Sequence, residues 1–129
     1  MFALTVRDHI MIAHSLPDPF FGPAQGLHGA TLVVEATWRS PSLNDHAVVM
    51  DIGEASRHLS EVLDPLRYAN LDEHPAFAGT LSTTEAVARH IANELAARLE
   101  ADRGIASIGI VVREHPDAWV TFEIDLSGR

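Results

Sequence analysis

Over the first fourteen positions apolar and polar residues alternate: Leu4, Val6, Ile10 and Ile12 fall on one parity, Thr5, Arg7 and His9 on the other. Period two predicts a strand with one wet face, from Phe2 to His14. The stretch "SLPDPFFGPAQG", residues 15–26, carries three prolines and two glycines and predicts a loop that returns the chain. "ATLVVEATWRS" is β-branched and alternates again, which predicts a second strand from about His28 to Arg39, paired with the first as a hairpin. The period then changes. Ile52, Ala55, Leu59, Val62 and Leu63 recur at helical spacing, predicting a helix that starts near Ile52 and stops before Pro65. "RYANLDEHPAFAGTL" reads as irregular. Ser82-Thr83-Thr84-Glu85 has the form of a capping box, and Val87, Ala88, Ile91, Leu95 and Leu99 continue it as an apolar stripe, predicting a second helix ended by Gly104. Alternation returns in "IASIGIVVRE" and "WVTFEIDL", with a turn at "HPDA" between them.

The resulting order, ββααββ over one domain spanning residues 1–129, predicts an α+β fold: a four-stranded antiparallel sheet with both helices on one face. Long alternating edge strands invite pairing between copies, and a closed ring removes them, so a symmetric oligomer is expected.

Composition narrows the chemistry. Nine basic against eighteen acidic residues give a net charge of −9. That balance speaks against nucleic acid as a partner, because cationic side chains dominate phosphate binding. No apolar run approaches the roughly 18 residues of a membrane span. Arg7, Asp8 and His9 interrupt the first apolar stretch, so no leader pattern is read and the cytoplasm is the expected location. The absence of cysteine removes disulfides, thiolate ligands and thiol nucleophiles together.

Five segments carry a resemblance: "IMIAHSL" closing the first strand, "LHGATL" opening the second, "VVMDI" before the first helix, "STTEAVA" opening the second, and "IVVREHPDA" ending the third strand. In this order, spread over nearly the whole chain, they resemble the 6-pyruvoyl-tetrahydropterin synthases and the related 6-carboxy-tetrahydropterin synthases of queuosine biosynthesis. The resemblance implies the tunnelling fold (T-fold), whose ββααββ protomers form barrel-like trimers stacked head to head as a homohexamer. It also implies active sites between protomers, where a glutamate holds a pterin ring beside a zinc ion on three histidines. A cysteine four residues before a His-x-His motif and an Asp-His pair in Leu-Asp-His-x-x-Leu-Asn complete the family's site.

Carried over position by position, His14 stands at the first zinc ligand and His28 at the second, but Ala30 occupies the third and Ala24 the cysteine. "LRYANLD" places Arg67 at the relay aspartate and Tyr68 at the relay histidine. Glu114 matches the pterin-anchoring glutamate, Thr83 and Thr84 match the threonine-containing helix start, and Asp51 matches as a structural carboxylate.

A catalytic zinc takes three protein ligands, so two histidines are expected to be relic positions and no cofactor is expected. The competing reading is a metal site completed by a carboxylate or water. Glu114 shares the face of Ile108, Ile110 and Val112, would be buried without a partner there, and is expected to accept two parallel hydrogen bonds from a pterin-like or purine-like ligand. Thr83, Thr84 and Arg67 complete the expected ligand set, Arg67 as a fixed positive charge for an anionic substituent.

The expected function is therefore heterocycle binding at a subunit interface without the synthase reaction. The alternatives are a metal-free acid–base enzyme acting on a pterin-related heterocycle, with Tyr68, His14 or His28 as proton carriers, and a noncatalytic scaffold. His9, His46, His58, His74, His90 and His115 are read as surface or structural residues.

Overall fold

The computed structural model describes residues 1–101 and 103–128. Four strands, β1 (Phe2–His14), β2 (His28–Ser40), β3 (Ser107–His115) and β4 (Ala118–Asp125), form one antiparallel sheet in the order β1-β2-β3-β4. Two helices, α1 (Ile52–Leu63) and α2 (Thr84–Ala97), connect β2 to β3 and cover one face; α1 lies against β1, α2 against β3 and β4.

The alternation read from the sequence is what seats them. Ile10, Leu32, Val34, Trp38, Ile108 and Ile110 point to the helices and are essentially sealed from solvent by Leu59, Leu63, Ile91 and Leu95. Trp38, with no exposed surface, is the largest of these anchors, and truncating such a residue to alanine costs about 3–5 kcal/mol. The opposite face is mixed in character. Arg113 pairs there with Glu35 at 3.2 Å and lies 4.3 Å above the ring of Trp119.

Four details depart from the sequence pattern. Thr83, not Ser82, caps α2, its hydroxyl accepting from Ala86 N–H, because Ser82 is buried and committed to His14. The helix ends at Ala97 instead of Gly104: Arg98 and Leu99 bond back three residues, to Leu95 and Ala96, tightening the last turn. Residues 15–26 are not plain loop throughout: Pro19–Gln25 forms two short 3-10 turns kinked at Gly22, whose φ of 53° suits glycine. Finally, the irregular segment after α1 adds itself to the sheet edge. Tyr68 N–H donates to Met11 C=O at 2.7 Å, and Ala13 N–H donates to Ala69 C=O at 3.0 Å.

Candidate ligand and metal-binding site

The antiparallel register sets His14, the last residue of β1, directly opposite His28, the first of β2. Both side chains fall on the helix-facing side, and their rings meet edge to face with centroids 4.6 Å apart. Each ring is oriented by a backbone carbonyl. His14 donates from Nδ1 to Ser82 C=O at 2.8 Å, and His28 from Nδ1 to Gly26 C=O at 2.8 Å. A carbonyl only accepts, so in the neutral rings both Nε2 atoms carry the lone pair. His14 is 3% exposed, and its Nε2 has no hydrogen-bond partner.

Glu114 completes the group. The β3–β4 ladder shifts register between Arg113 and His115, which leaves Glu114 as the extra residue of a bulge, a device that re-aims a side chain next to a site. Its carboxylate accepts from Thr84 Oγ at 3.0 Å, and one ligand atom from each of His14, His28 and Glu114 lies within 4.8 Å of the others. Glu114 is exposed in the single chain, so the burial expected from its parity does not occur: it lies near the end of β3, on the bulge and beside the start of α2, and stays open to solvent there.

Two imidazoles and one carboxylate, with the His14 Nε2 buried and unpartnered, make a donor set that fits a divalent transition metal. The shortfall at Ala30 is real. What spacing within β2 concealed is a third donor on β3, which reaches the histidines only through the fold.

Behind His14, Asp72 ties three elements together. Its carboxylate accepts from Ser15 N–H at 2.9 Å, Ser15 Oγ at 2.6 Å and Ser82 Oγ at 3.3 Å. Burial pushes its pKa up, but the Ser15 and Ser82 hydrogen bonds and the nearby His14 outweigh it and hold the group below the ordinary carboxylate value. Asp72 thus fixes Ser82, which fixes His14. The sequence carried no sign of this role beyond its place in the "LRYANLD" segment.

Arg67 and Tyr68 are not brought to the histidine pair. The Arg67 guanidinium donates to Asp64 at 2.9 Å, to Asp8 at 2.8 Å and to the His9 carbonyl at 2.9 Å, which raises its pKa through Asp64 first and Asp8 second. With those donors engaged in bracing β1, the expected role toward an anionic ligand is replaced by a structural one. Tyr68 is 84% exposed with a left-handed φ of 55°, unfavourable for a bulky side chain by roughly 1–2 kcal/mol.

Among the described residues, clefts of about 390 and 380 Å³ flank the site. The first is lined by Ser15, Asp72, Phe77 and Ser82, the second by Thr83, Glu85, Arg89 and Phe122, and neither contains Glu114 or the histidines. In the isolated chain the convergent group lies beside these clefts.

Comparisons with known proteins bear on this arrangement. A family model described as 6-pyruvoyl tetrahydropterin synthase matches residues 3–125. The chain belongs to that family. The family's solved structures share its fold: the Caenorhabditis elegans 6-pyruvoyl tetrahydropterin synthase superposes with a TM-score of 0.83 at 22% identity, covering 96% of both chains. The Plasmodium vivax 6-pyruvoyltetrahydropterin synthase gives 0.81 at 16% identity, over 96% of this chain and 98% of that one. An uncharacterised Wolinella succinogenes protein gives 0.68 at 14% identity, over 96% and 97%. Comparison with curated protein sequences finds no match. Family membership makes the tunnelling-fold protomer the setting of the site.

Proposed function

We propose that this member of the family binds a pterin- or purine-type heterocycle in a cleft closed by a neighbouring copy of the chain, and does not carry out the synthase reaction. The observation that carries the reading is Glu114. A carboxylate on a bulge, steadied by Thr84 and otherwise open to solvent, offers two acceptor oxygens in one plane. The ring N–H and exocyclic amino group of a pterin or guanine present the matching donors. Thr83 and Thr84 set the start of α2 beside it, where first-turn amides lack helical acceptors.

Against the synthase reaction stands what its machinery needs. No cysteine exists to replace the family's thiol, and the relay positions hold Arg67, engaged with Asp8 and Asp64, and Tyr68. Tyrosine titrates near 10, about 3.5 units above histidine, and is a poor base at neutral pH.

Calorimetric titration with a pterin and with guanine tests the binding. Binding by the native chain and at least a tenfold loss in Glu114→Gln, about 1.4 kcal/mol, are expected. No binding, or equal binding by the variant, would sink the reading, as would formation of 6-pyruvoyl- or 6-carboxy-tetrahydropterin from 7,8-dihydroneopterin triphosphate.

A second reading, acid–base turnover of the bound heterocycle, is favoured by Tyr68, whose strained and exposed placement is the kind of outlier that accompanies functional sites. A pH–rate profile that vanishes in Tyr68→Phe is its signature.

A further inference from the structure

We propose that His14, His28 and Glu114 hold one divalent transition-metal ion, with Glu114 supplying the third ligand that Ala30 cannot. The inference rests on the reading above only in placing a small-molecule site at Glu114, and it extends that site to a cation.

Three observations converge. First, both imidazoles have their Nδ1–H tied to backbone carbonyls, Ser82 and Gly26, at 2.8 Å. Anchoring of the distal nitrogen is how metal-binding histidines are oriented and kept in the right tautomer. Second, Nε2 of the nearly sealed His14 has no partner among the described residues, and such a buried group is costly unless something accepts its lone pair. Third, the donors come from three strands and still gather within 4.8 Å. Tetrahedral zinc holds its ligand atoms about 3.3 Å apart, so loading draws the set in by up to about 1.5 Å. Rotation of exposed Glu114 supplies most of that, since His14 is fixed through Ser82 and Asp72.

The chemistry of the set selects the ion. Two imidazoles and one carboxylate suit zinc or ferrous iron over magnesium or calcium, which prefer all-oxygen cages. Three protein ligands also leave an open coordination position facing the solvent side, where Glu114 is exposed.

A consequence follows for the heterocycle. Glu114 Oε2 already accepts from Thr84, and a carboxylate bound to a cation has less capacity to grip two N–H donors. Metal loading and heterocycle binding through Glu114 therefore oppose each other, and the opposition is reciprocal.

The test uses the full chain, stripped with a chelator and titrated separately with zinc, ferrous iron and magnesium. Zinc is expected to bind at one equivalent per chain by elemental analysis, with a dissociation constant of micromolar or tighter by calorimetry, and magnesium not to bind. Cobalt substitution should give the visible absorption of a four-coordinate centre. Glu114→Gln keeps the side-chain shape while removing the charge, and should weaken zinc at least tenfold. His28→Gln, which gives up the contact to the adjacent turn and the edge-to-face contact with His14, should abolish stoichiometric binding. Substoichiometric zinc, or Glu114→Gln binding as tightly as the native chain, would overturn the proposal. Heterocycle titration of the chelated protein separates the two readings. Zinc binding without heterocycle binding leaves the cation site standing and removes the ligand reading, and the converse removes only the cation.

Discussion

At the scale of single residues, the same side chain can be read from sequence as a ligand contact or a brace, and only its partners decide. Arg67 is the clearest instance. Its fork engages Asp8, Asp64 and the His9 carbonyl, and the matching carboxylate Asp8 is driven up by burial yet held below its ordinary pKa by the Arg67 hydrogen bond and charge. Arg67→Met should therefore destabilise the fold by about 1–3 kcal/mol, the range for charge-assisted hydrogen bonds, measured by urea unfolding. Heterocycle affinity should stay within twofold of native; a tenfold loss with the fold intact would restore a ligand role to this residue. Glu114 reverses the case. Parity put it on the core face with burial expected; it stands exposed near the strand end, on a bulge, within reach of two histidines.

At the scale of elements, α1 and α2 each carry a histidine whose pKa is lowered by burial. His58 on α1 is nearly buried, with Nδ1 unpartnered and Nε2 3.9 Å from Glu54; burial lowers its pKa more than Glu54 raises it. His90 on α2 sits against Phe77 and His74, and burial lowers its pKa too. The unfolded chain thus takes up protons as pH falls through the ordinary histidine value of 6.5, while the folded chain stays neutral until a lower pH. Stability is complete above that value and declines as pH falls below it. The melting temperature should drop between pH 7.5 and 5.5, and the His58→Gln, His90→Gln double variant should show a shallower slope. An unchanged slope would place the titration elsewhere. Carboxylates act lower. Glu54, paired with both nitrogens of Arg103 at 3.0 Å, is held below its ordinary value chiefly by that bond, so its contribution is lost only as pH falls through that depressed value.

At the scale of the whole molecule, the sheet leaves edges that a single chain does not close. Along β1 the backbone groups of His9, Met11 and Ala13 face outward and are taken by Arg67, Tyr68 and Ala69. By the same parity, and among the described residues, Ala3, Thr5 and Arg7 present open backbone groups and β4 has no neighbouring strand on its outer side. Pairing of these two edges between copies would bring a neighbouring chain to the site's exposed side, as the ring expected from sequence requires. Arg7→Pro removes one outward N–H without breaking the β1–β2 ladder. It should shift the protein from oligomer toward monomer in sedimentation velocity, with its far-ultraviolet circular dichroism preserved. A native protein that sediments as a monomer, or a variant that assembles normally, would rule out pairing through this edge.

Element order and strand faces were legible in the residue pattern alone. Period-two and helical spacing are local consequences of backbone geometry, and burial of the apolar stripe in "ATLVVEATWRS" needs only a surface to pack on. It also fixed what is missing, since a chain without cysteine can supply no thiol. The partner of each functional group was decided by tertiary structure alone. His14 and His28 meet because two strands share a register, Glu114 joins them from a bulge on a third strand, and Ser82 serves His14 because Asp72 holds it there. Such contacts join residues far apart along the chain, and no local periodicity encodes the distance between them.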